Sequence, residues 1–392
     1  MNPPGSPIAA VTHPDPYPYY REMVATRPLH RDPDLGLWVA AGAEAVTAVL
    51  TSPQVRVRPA AEPVPAALGG SPLAEIFARL VRTTDGPGHD VMKRAIGGAL
   101  ATLDRERLRA GAMRWAQTLA ERLHPATDPG GVDRFARSLS AHVIASLLAV
   151  PETSIGPIER SVHHYMTAVA PGADAARLAR GKEAAGHLIE TVRAATGSAR
   201  DGLPGALRLE AERAGIADPA AIVANAIGFM TQAYEATSGL IGNTLRALAV
   251  QPHLADSVAT DPTRIEAVVR EVLRHDAPVQ NTRRFVAADG VIAGQRMAAG
   301  DTVLVVLAAA NHDPAANPRP EHFEPDRAER RTFTFGVGPH ACPGEALAVT
   351  IASAGVERLL AHGLDPGTLP RPAYEASVNL RMPLFAGPAA AG

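Results

Sequence analysis

Apolar residues recur at helical spacing over most of the chain, and strand-like alternation is confined to a few short stretches. Pro16 to Val24 predicts a short helix opened by proline, and Ala43 to Leu50 a second. A third starts at Thr84-Asp85-Gly86-Pro87-Gly88-His89 and runs to about Leu100. Further helices are expected at about 104–123, 133–150, 156–169 and 174–196. Asp218 is an N-cap followed by proline at the first helical position, and no proline interrupts the chain from there to Val250. At ~1.5 Å per residue this helix is roughly 48 Å long. Asn225, Gln232 and Glu235 make it too polar to span a membrane. Gly228, Gly239 and Gly242 each weaken it by about 1 kcal/mol relative to alanine, so they permit either helix packing or close approach of another group. The last helix follows from Glu345 to Leu360.

Strands are expected at Leu37–Ala40 and within 284–306, with turns at Gly290 and Ala299-Gly300, and a final hairpin at about 374–386. Residues 53–74, with five prolines and the pair Gly69-Gly70, form a long irregular loop. Such a loop inside a compact domain is functional or disordered. No internal repeat or low-complexity tract appears.

Composition narrows the class. The 392 residues are 46% hydrophobic and 20% charged with net charge −2, the balance of a globular protein with no electrostatic footprint for nucleic acid. The N-terminus is Pro-rich and polar, without a basic segment or an apolar run, so neither a signal peptide nor a membrane anchor is expected. One cysteine excludes an internal disulfide and fits a reducing cytoplasm.

That cysteine, Cys342, lies in the stretch FTFGVGPHACPGEAL, Phe333 to Leu347. Gly336, Gly338 and Gly344 permit unusual φ values and close approach. Pro339 and Pro343 stiffen the loop. Amides at the start of the following helix favour thiolate over thiol. A lone thiolate with an open site opposite suits a haem iron. A lone cysteine elsewhere would read as a small buried hydrophobe; the surrounding glycines and His340 argue otherwise.

The pattern Phe335, Gly336, Gly338, His340, Cys342, Gly344 resembles the haem-binding signature of the cytochrome P450 family, its bacterial type above all. The resemblance implies a mainly α fold with a smaller β portion, the cytochrome P450 fold, as a single domain over 1–392. Its β-rich part would be about 37–60, 279–310 and 374–386. It implies haem b with Cys342 as the axial, metal-binding ligand, His340 at a propionate, and Phe335 packed near the sulfur with Gly344 in the cofactor loop. The stretch DGPGHDVMKRAI resembles the family's helix that reaches the propionates, with His89 matching its histidine and Lys93 its arginine. Lysine supplies the charge without the planar two-pronged geometry of arginine. Arg284 matches a further propionate-binding arginine. Glu271 and Arg274 match the family's buried E-x-x-R pair, whose extra hydrogen bonds offset desolvation, with His322 standing where a third partner comes from. Asn311-His312-Asp313-Pro314 resembles the family's N-R-D-P, with histidine for arginine.

Gln232-Ala233-Tyr234-Glu235-Ala236-Thr237 falls where the family carries A-G-x-[DE]-T-[TS]. The acid is kept as Glu235, but the threonine whose hydroxyl helps deliver protons to dioxygen is Ala236. Thr237 lies about 100° further around the helix. The expected catalytic set is therefore Glu235, Ala236 and Thr237, with a substrate hydroxyl and ordered water replacing the missing threonine. The implied function is cytoplasmic monooxygenation of a small organic substrate with O2 in secondary metabolism, with electrons from a ferredoxin and its reductase, and with no nucleic acid or membrane partner. The alternative is a haem-thiolate enzyme that couples, rearranges or nitrates. A non-catalytic helper of the same fold is disfavoured, because such helpers lack the cysteine. The adjacent His163 and His164 point to different helix faces and do not suggest a metal site. Arg94, Arg105, Arg107, Arg109, Arg330 and Arg331 are candidate surface charges for an acidic redox partner.

Overall fold

The computed structural model describes residues 2–387. The helices are α1 (Pro7–Ala10), α2 (Tyr17–Thr26), α3 (Ala43–Thr51), α4 (Pro72–Arg79), α5 (Pro87–Ala101), α6 (Arg105–Leu123), α7 (Pro129–Leu147) and α8 (Glu152–Val169). They continue with α9 (Ala175–Ser198), α10 (Gly202–Arg213), α11 (Pro219–Val250), α12 (Pro252–Thr260), α13 (Ile265–His275), α14 (Leu307–Asn311) and α15 (Glu345–Ala361). The strands are β1 (Leu29–Asp32), β2 (Leu37–Ala40), β3 (Val55–Arg56), β4 (Thr282–Val286), β5 (Gly290–Ile292), β6 (Gln295–Met297), β7 (Thr302–Val305), β8 (Ala373–Tyr374) and β9 (Pro383–Leu384). Helix dominates, as expected. Among the described residues no helix is long and apolar enough to cross a membrane.

The chain divides into two compact units, one of Met1–Arg56, Ala116–Arg137 and Glu235–Gly392, the other of Val57–Trp115 and Ser138–Tyr234. The first contains all the strands. Its five-stranded sheet has the order β1-β2-β7-β4-β3, with β2 and β7 parallel and the other neighbours antiparallel. Alternation along β7 splits its side chains between two cores. Val303 and Val305 join Val46, Val49 and Phe333, whereas Leu304 joins Val39, Tyr20 and Met23. Strand β1 was not legible: its LHRD sequence is polar and its place depends on antiparallel pairing with β2. Gly290 lies in β5 rather than in a turn, and the turn of that hairpin is Ala293-Gly294, both at positive φ (48° and 78°). Two positive φ values match the twist of a two-residue hairpin loop.

In the second unit α8 packs along α9, where a Cβ on Gly181 would sit 2.1 Å from that of Ala168. Asn225 ties α11 to the end of α4, accepting from the Val81 amide at 2.8 Å and donating to the Arg79 carbonyl at 2.8 Å. Asp85 accepts from the Val57 amide at 3.0 Å, anchoring the Pro-rich loop at one end. Part of that loop is ordered as a 3-10 turn at Ala66–Leu68 before α4 begins. Helices α10 and α12 escape the periodicity reading; Gly202, Pro204 and Gly205 obscure the start of α10.

Candidate haem-thiolate site

The loop before α15 is held at its root by a buried asparagine. Asn311 accepts from the Phe333 amide at 2.7 Å and donates to Thr334 Oγ1 at 3.0 Å and to the Leu273 carbonyl at 3.2 Å. Thr334 Oγ1 donates to the same Leu273 carbonyl at 2.5 Å. Phe333 is fully buried in the sheet core, so the loop leaves a fixed base. Asp313 caps α3 by accepting from the Ala43 amide at 2.8 Å. The asparagine and aspartate of Asn311-His312-Asp313 thus have local structural tasks that the sequence motif did not specify.

From this base the chain turns twice. The Gly336 amide donates to the Phe333 carbonyl at 2.7 Å, and the Cys342 amide to the Phe335 carbonyl at 2.8 Å. Gly338 has φ +75°, and a Cβ there would lie 2.9 Å from Thr51 Cγ2 and 3.2 Å from the Leu50 carbonyl. Conformation and space both require glycine. The loop delivers Cys342 to an exposed position just before α15. The Gly344 amide donates to its Sγ at 3.4 Å, and such a donor stabilises thiolate over thiol. Phe335 and His340 are half-buried in the same loop. Among the described residues, no group of three or more His, Cys, Asp or Glu is placed to hold a metal ion. One sulfur donor in a glycine-rich cradle fits a metal whose remaining ligands come from a macrocycle.

Arg284, on β4 in the same unit, is buried and donates to the Arg283 carbonyl at 2.8 Å and to Thr282 Oγ1 at 3.3 Å. In the other unit, His89 is buried on α5 with Nδ1 3.1 Å from Asp90 Oδ1, and Lys93 is half-buried one turn on. Glu235 and Ala236 are half-buried in the middle of α11. Thr237 is 1% exposed, and its hydroxyl makes no hydrogen bond among the described residues. Thr244, about two turns further along the same helix, donates to the Leu240 carbonyl at 2.7 Å. The glycines of α11 are packing positions. A Cβ on Gly242 would lie 2.5 Å from Pro383 Cγ, and one on Gly239 2.9 Å from the Arg381 carbonyl.

Glu271 and Arg274 form a fully buried pair, with Arg274 Nη2 2.6 Å from Glu271 Oε1. Arg274 also donates to the carbonyls of Pro320 at 2.7 Å and His322 at 2.8 Å. Burial alone would push the Glu271 carboxyl up, but the hydrogen bond and charge of Arg274, the Glu324 amide and Arg330 hold it below its usual value. Two expectations are corrected here. His322 contributes only its backbone carbonyl, and its side chain is exposed. Arg330 is not a surface charge: its Nε donates to Glu271 Oε2 at 2.9 Å and its side chain is largely buried. Arg94, Arg105, Arg107, Arg109 and Arg331 are exposed.

A second buried network had no signature in the sequence. Asp276, just after α13, accepts from Arg381 Nε at 2.7 Å, from Arg246 Nη1 at 3.0 Å and from the Tyr17 hydroxyl. Arg381 further donates to the carbonyls of Val11 at 3.1 Å, His13 at 2.7 Å and Pro14 at 3.3 Å. Burial opposes ionisation of Asp276, but Arg381, Arg246 and the Tyr17 hydroxyl outweigh it and bring its pKa down to about 2.

A model of the cytochrome P450 family matches residues 190–362. The chain is 29% identical over 349 residues to 6-deoxyerythronolide B hydroxylase of Saccharopolyspora erythraea, covering 86% of this chain and 85% of that protein. It is 27% identical over 317 residues to 20-oxo-5-O-mycaminosyltylactone 23-monooxygenase of Streptomyces fradiae, covering 80% and 73%. Among solved structures, CalO2 superposes with TM-score 0.82 at 27% identity over 96% of both chains. Fold and relatives together define a mainly α oxidoreductase whose class carries haem. Over most of its length the chain is similar to bacterial cytochrome P450 monooxygenases, in sequence and in fold.

Proposed function

We propose that this protein is a haem-thiolate monooxygenase that inserts one oxygen atom from O2 into a small organic substrate, by hydroxylation, in secondary metabolism. The observation that carries the reading is the exposed Cys342 sulfur with the Gly344 amide donating to it at the start of α15. Both curated relatives described above are named for hydroxylase or monooxygenase activity, which supports the reaction type. The whole chain is read as one P450 domain.

Cys342 would hold the iron of haem b through its sulfur, with Phe335 and Gly344 shaping the loop around it. Haem, when bound, supplies the iron at which O2 is activated. His89, Lys93, Arg284 and His340 are assigned to its propionates by motif. Electrons come from a ferredoxin and its reductase, and the protein works in the cytoplasm.

Ala236 has no hydroxyl with which to hold a proton, so the substrate's own hydroxyl holds an ordered water beside it. The Glu235 carboxyl then passes a proton to that water. Coupling or rearrangement instead of hydroxylation stays as the second reading, favoured by the same Ala236. The test of ligation is the reduced carbon monoxide difference spectrum. Parent protein should show the thiolate signature and Cys342→Ser should lose it; an unchanged spectrum in the variant overturns the assignment. The test of proton delivery is Glu235→Gln, which should slow product formation. Substrates lacking the hydroxyl should bind but release hydrogen peroxide, and Ala236→Thr should restore their coupling. Parent-like turnover by Glu235→Gln with equal coupling of all substrates would favour the second reading.

A further inference from the structure

Helix α7 holds the C-terminal hairpin by both of its strands, through residues to which the reaction above gives no task. Asp133 Oδ1 accepts from the Phe385 amide at 2.9 Å and its Oδ2 from the Ala386 amide at 3.0 Å, just after β9. A carboxylate is the side chain that offers two acceptors to two successive amides. One turn further along α7, Arg137 Nη2 donates to the Glu375 carboxylate, just after β8. The Glu375 amide donates to the Met382 carbonyl at 2.9 Å and closes the hairpin.

The same hairpin is pressed onto α11. A Cβ on Gly239 would meet the Arg381 carbonyl at 2.9 Å and Met382 Cγ at 3.3 Å, and one on Gly242 would meet Pro383 Cγ at 2.5 Å. Gly239 and Gly242 lie about one and two turns past Glu235, on its face of the helix. Between α7, α11 and the hairpin, around Asp133, Ser238 and Gly242, about 10 Å³ is left, scarcely room for one water. A joint packed this closely passes a displacement on rather than absorbing it. The printed contacts thus run without a break from the Asp133 carboxylate, through Phe385 and Pro383, to the backbone of α11.

We propose that Asp133 is a positioning residue for the oxygen chemistry. By holding Phe385 and Ala386 it seats residues 381–383 on Gly239 and Gly242, and so fixes the stretch of α11 that carries Glu235 and Ala236. This rests on the proton-delivery role proposed above for those two residues.

The test uses haem-loaded full-length protein and two readouts. Hydrogen–deuterium exchange is followed over residues 233–242, and the infrared C–O stretch of the reduced carbon monoxide complex reports the surroundings of the bound ligand. Asp133→Ala should speed exchange in that stretch at least about tenfold, the worth of a hydrogen bond to a charged group. It should also shift the C–O stretch, which a merely structural role would leave in place. Gly242→Ala lifts the hairpin from the α11 side and should produce both changes by an independent route. The double variant should exchange more slowly than the product of the two single effects, because both act on one joint. If Asp133→Ala does not fold, Asp133→Asn, which keeps one acceptor, should give a smaller change of the same kind. Parent-like exchange over 233–242 in the folded variants, an unshifted C–O stretch, or fully multiplicative effects overturns the proposal. Both readouts changing as expected while Glu235→Gln turns over like the parent would keep the joint and overturn the proton-delivery reading instead.

Discussion

Two buried ionic networks flank the end of α13, and they differ in how the chain builds them. Glu271 and Arg274 are three residues apart on one helix, so a single helical turn brings them together. Asp276 meets Arg381 across a separation of 105 residues, and Arg246 and Tyr17 from two further segments. The first network locks α13 to the segment before the Cys342 loop through Pro320, His322, Glu324 and Arg330. The second locks both ends of the chain to the middle, since Arg381 also binds carbonyls from Val11 to Pro14. Both satisfy the condition for burying charge, which is that every charged group finds hydrogen-bonding partners. Neither touches the cysteine loop's sulfur, so both are scaffolding around the site.

The comparison can be broken most sharply by removing one partner from the local pair. Arg274→Ala leaves Glu271 buried with only Arg330 and the more distant Arg327 as cations and should cost about 3–5 kcal/mol, read as scant recovery of folded, haem-loaded protein. A fully loaded variant with slow turnover would mean a direct catalytic role instead.

Arg381→Ala should cost about 3 kcal/mol, at the lower end of that range, because Arg246 and Tyr17 still face Asp276. Urea unfolding measures it. A loss as large as that of Arg274→Ala would show that the carbonyl contacts of Arg381 to the N-terminal segment matter as much as its ion pair.

Acid sharpens the contrast further. The Asp276 pKa is depressed to about 2 from the ordinary 3.8, so its contribution is present above the unfolded value and is lost as pH falls through the folded one. At ~1.4 kcal/mol per unit this amounts to about 2 kcal/mol. Parent stability should therefore fall between about pH 4 and pH 2, and in Arg381→Ala the slope over that window should flatten. An identical slope in both proteins would place the acid sensitivity elsewhere, Glu271 being the next candidate since its shift has the same sign.

Tyr17→Phe deletes one hydrogen bond to the Asp276 carboxylate and should cost about 1.5 kcal/mol, seen as a lower urea midpoint with unchanged m. His322→Ala should change stability by under about 0.5 kcal/mol, since only its carbonyl joins the Glu271 network. A larger loss would return its side chain to the network.

What the sequence determined by itself is what neighbouring residues decide together. The bounds of α11 follow from a cap, a proline and an unbroken run, and they are found at Pro219 and Val250. The Cys342 loop was legible because its glycines, prolines and sulfur occupy one short stretch whose spacing carries the chemistry. The pairing of Glu271 with Arg274 was legible because helix geometry alone brings them together. Tertiary structure decided the rest. It chose Arg330 over the His322 side chain as the further partner of Glu271, and it gave Asn311 the task of holding the loop's root. It recruited the polar strand β1 through pairing, and it assembled Asp276, Arg381, Arg246 and Tyr17 from four distant segments. No local pattern marks such residues, because a buried charge selects whichever donor the packed chain brings within hydrogen-bonding reach, and that reach is set in space rather than along the sequence.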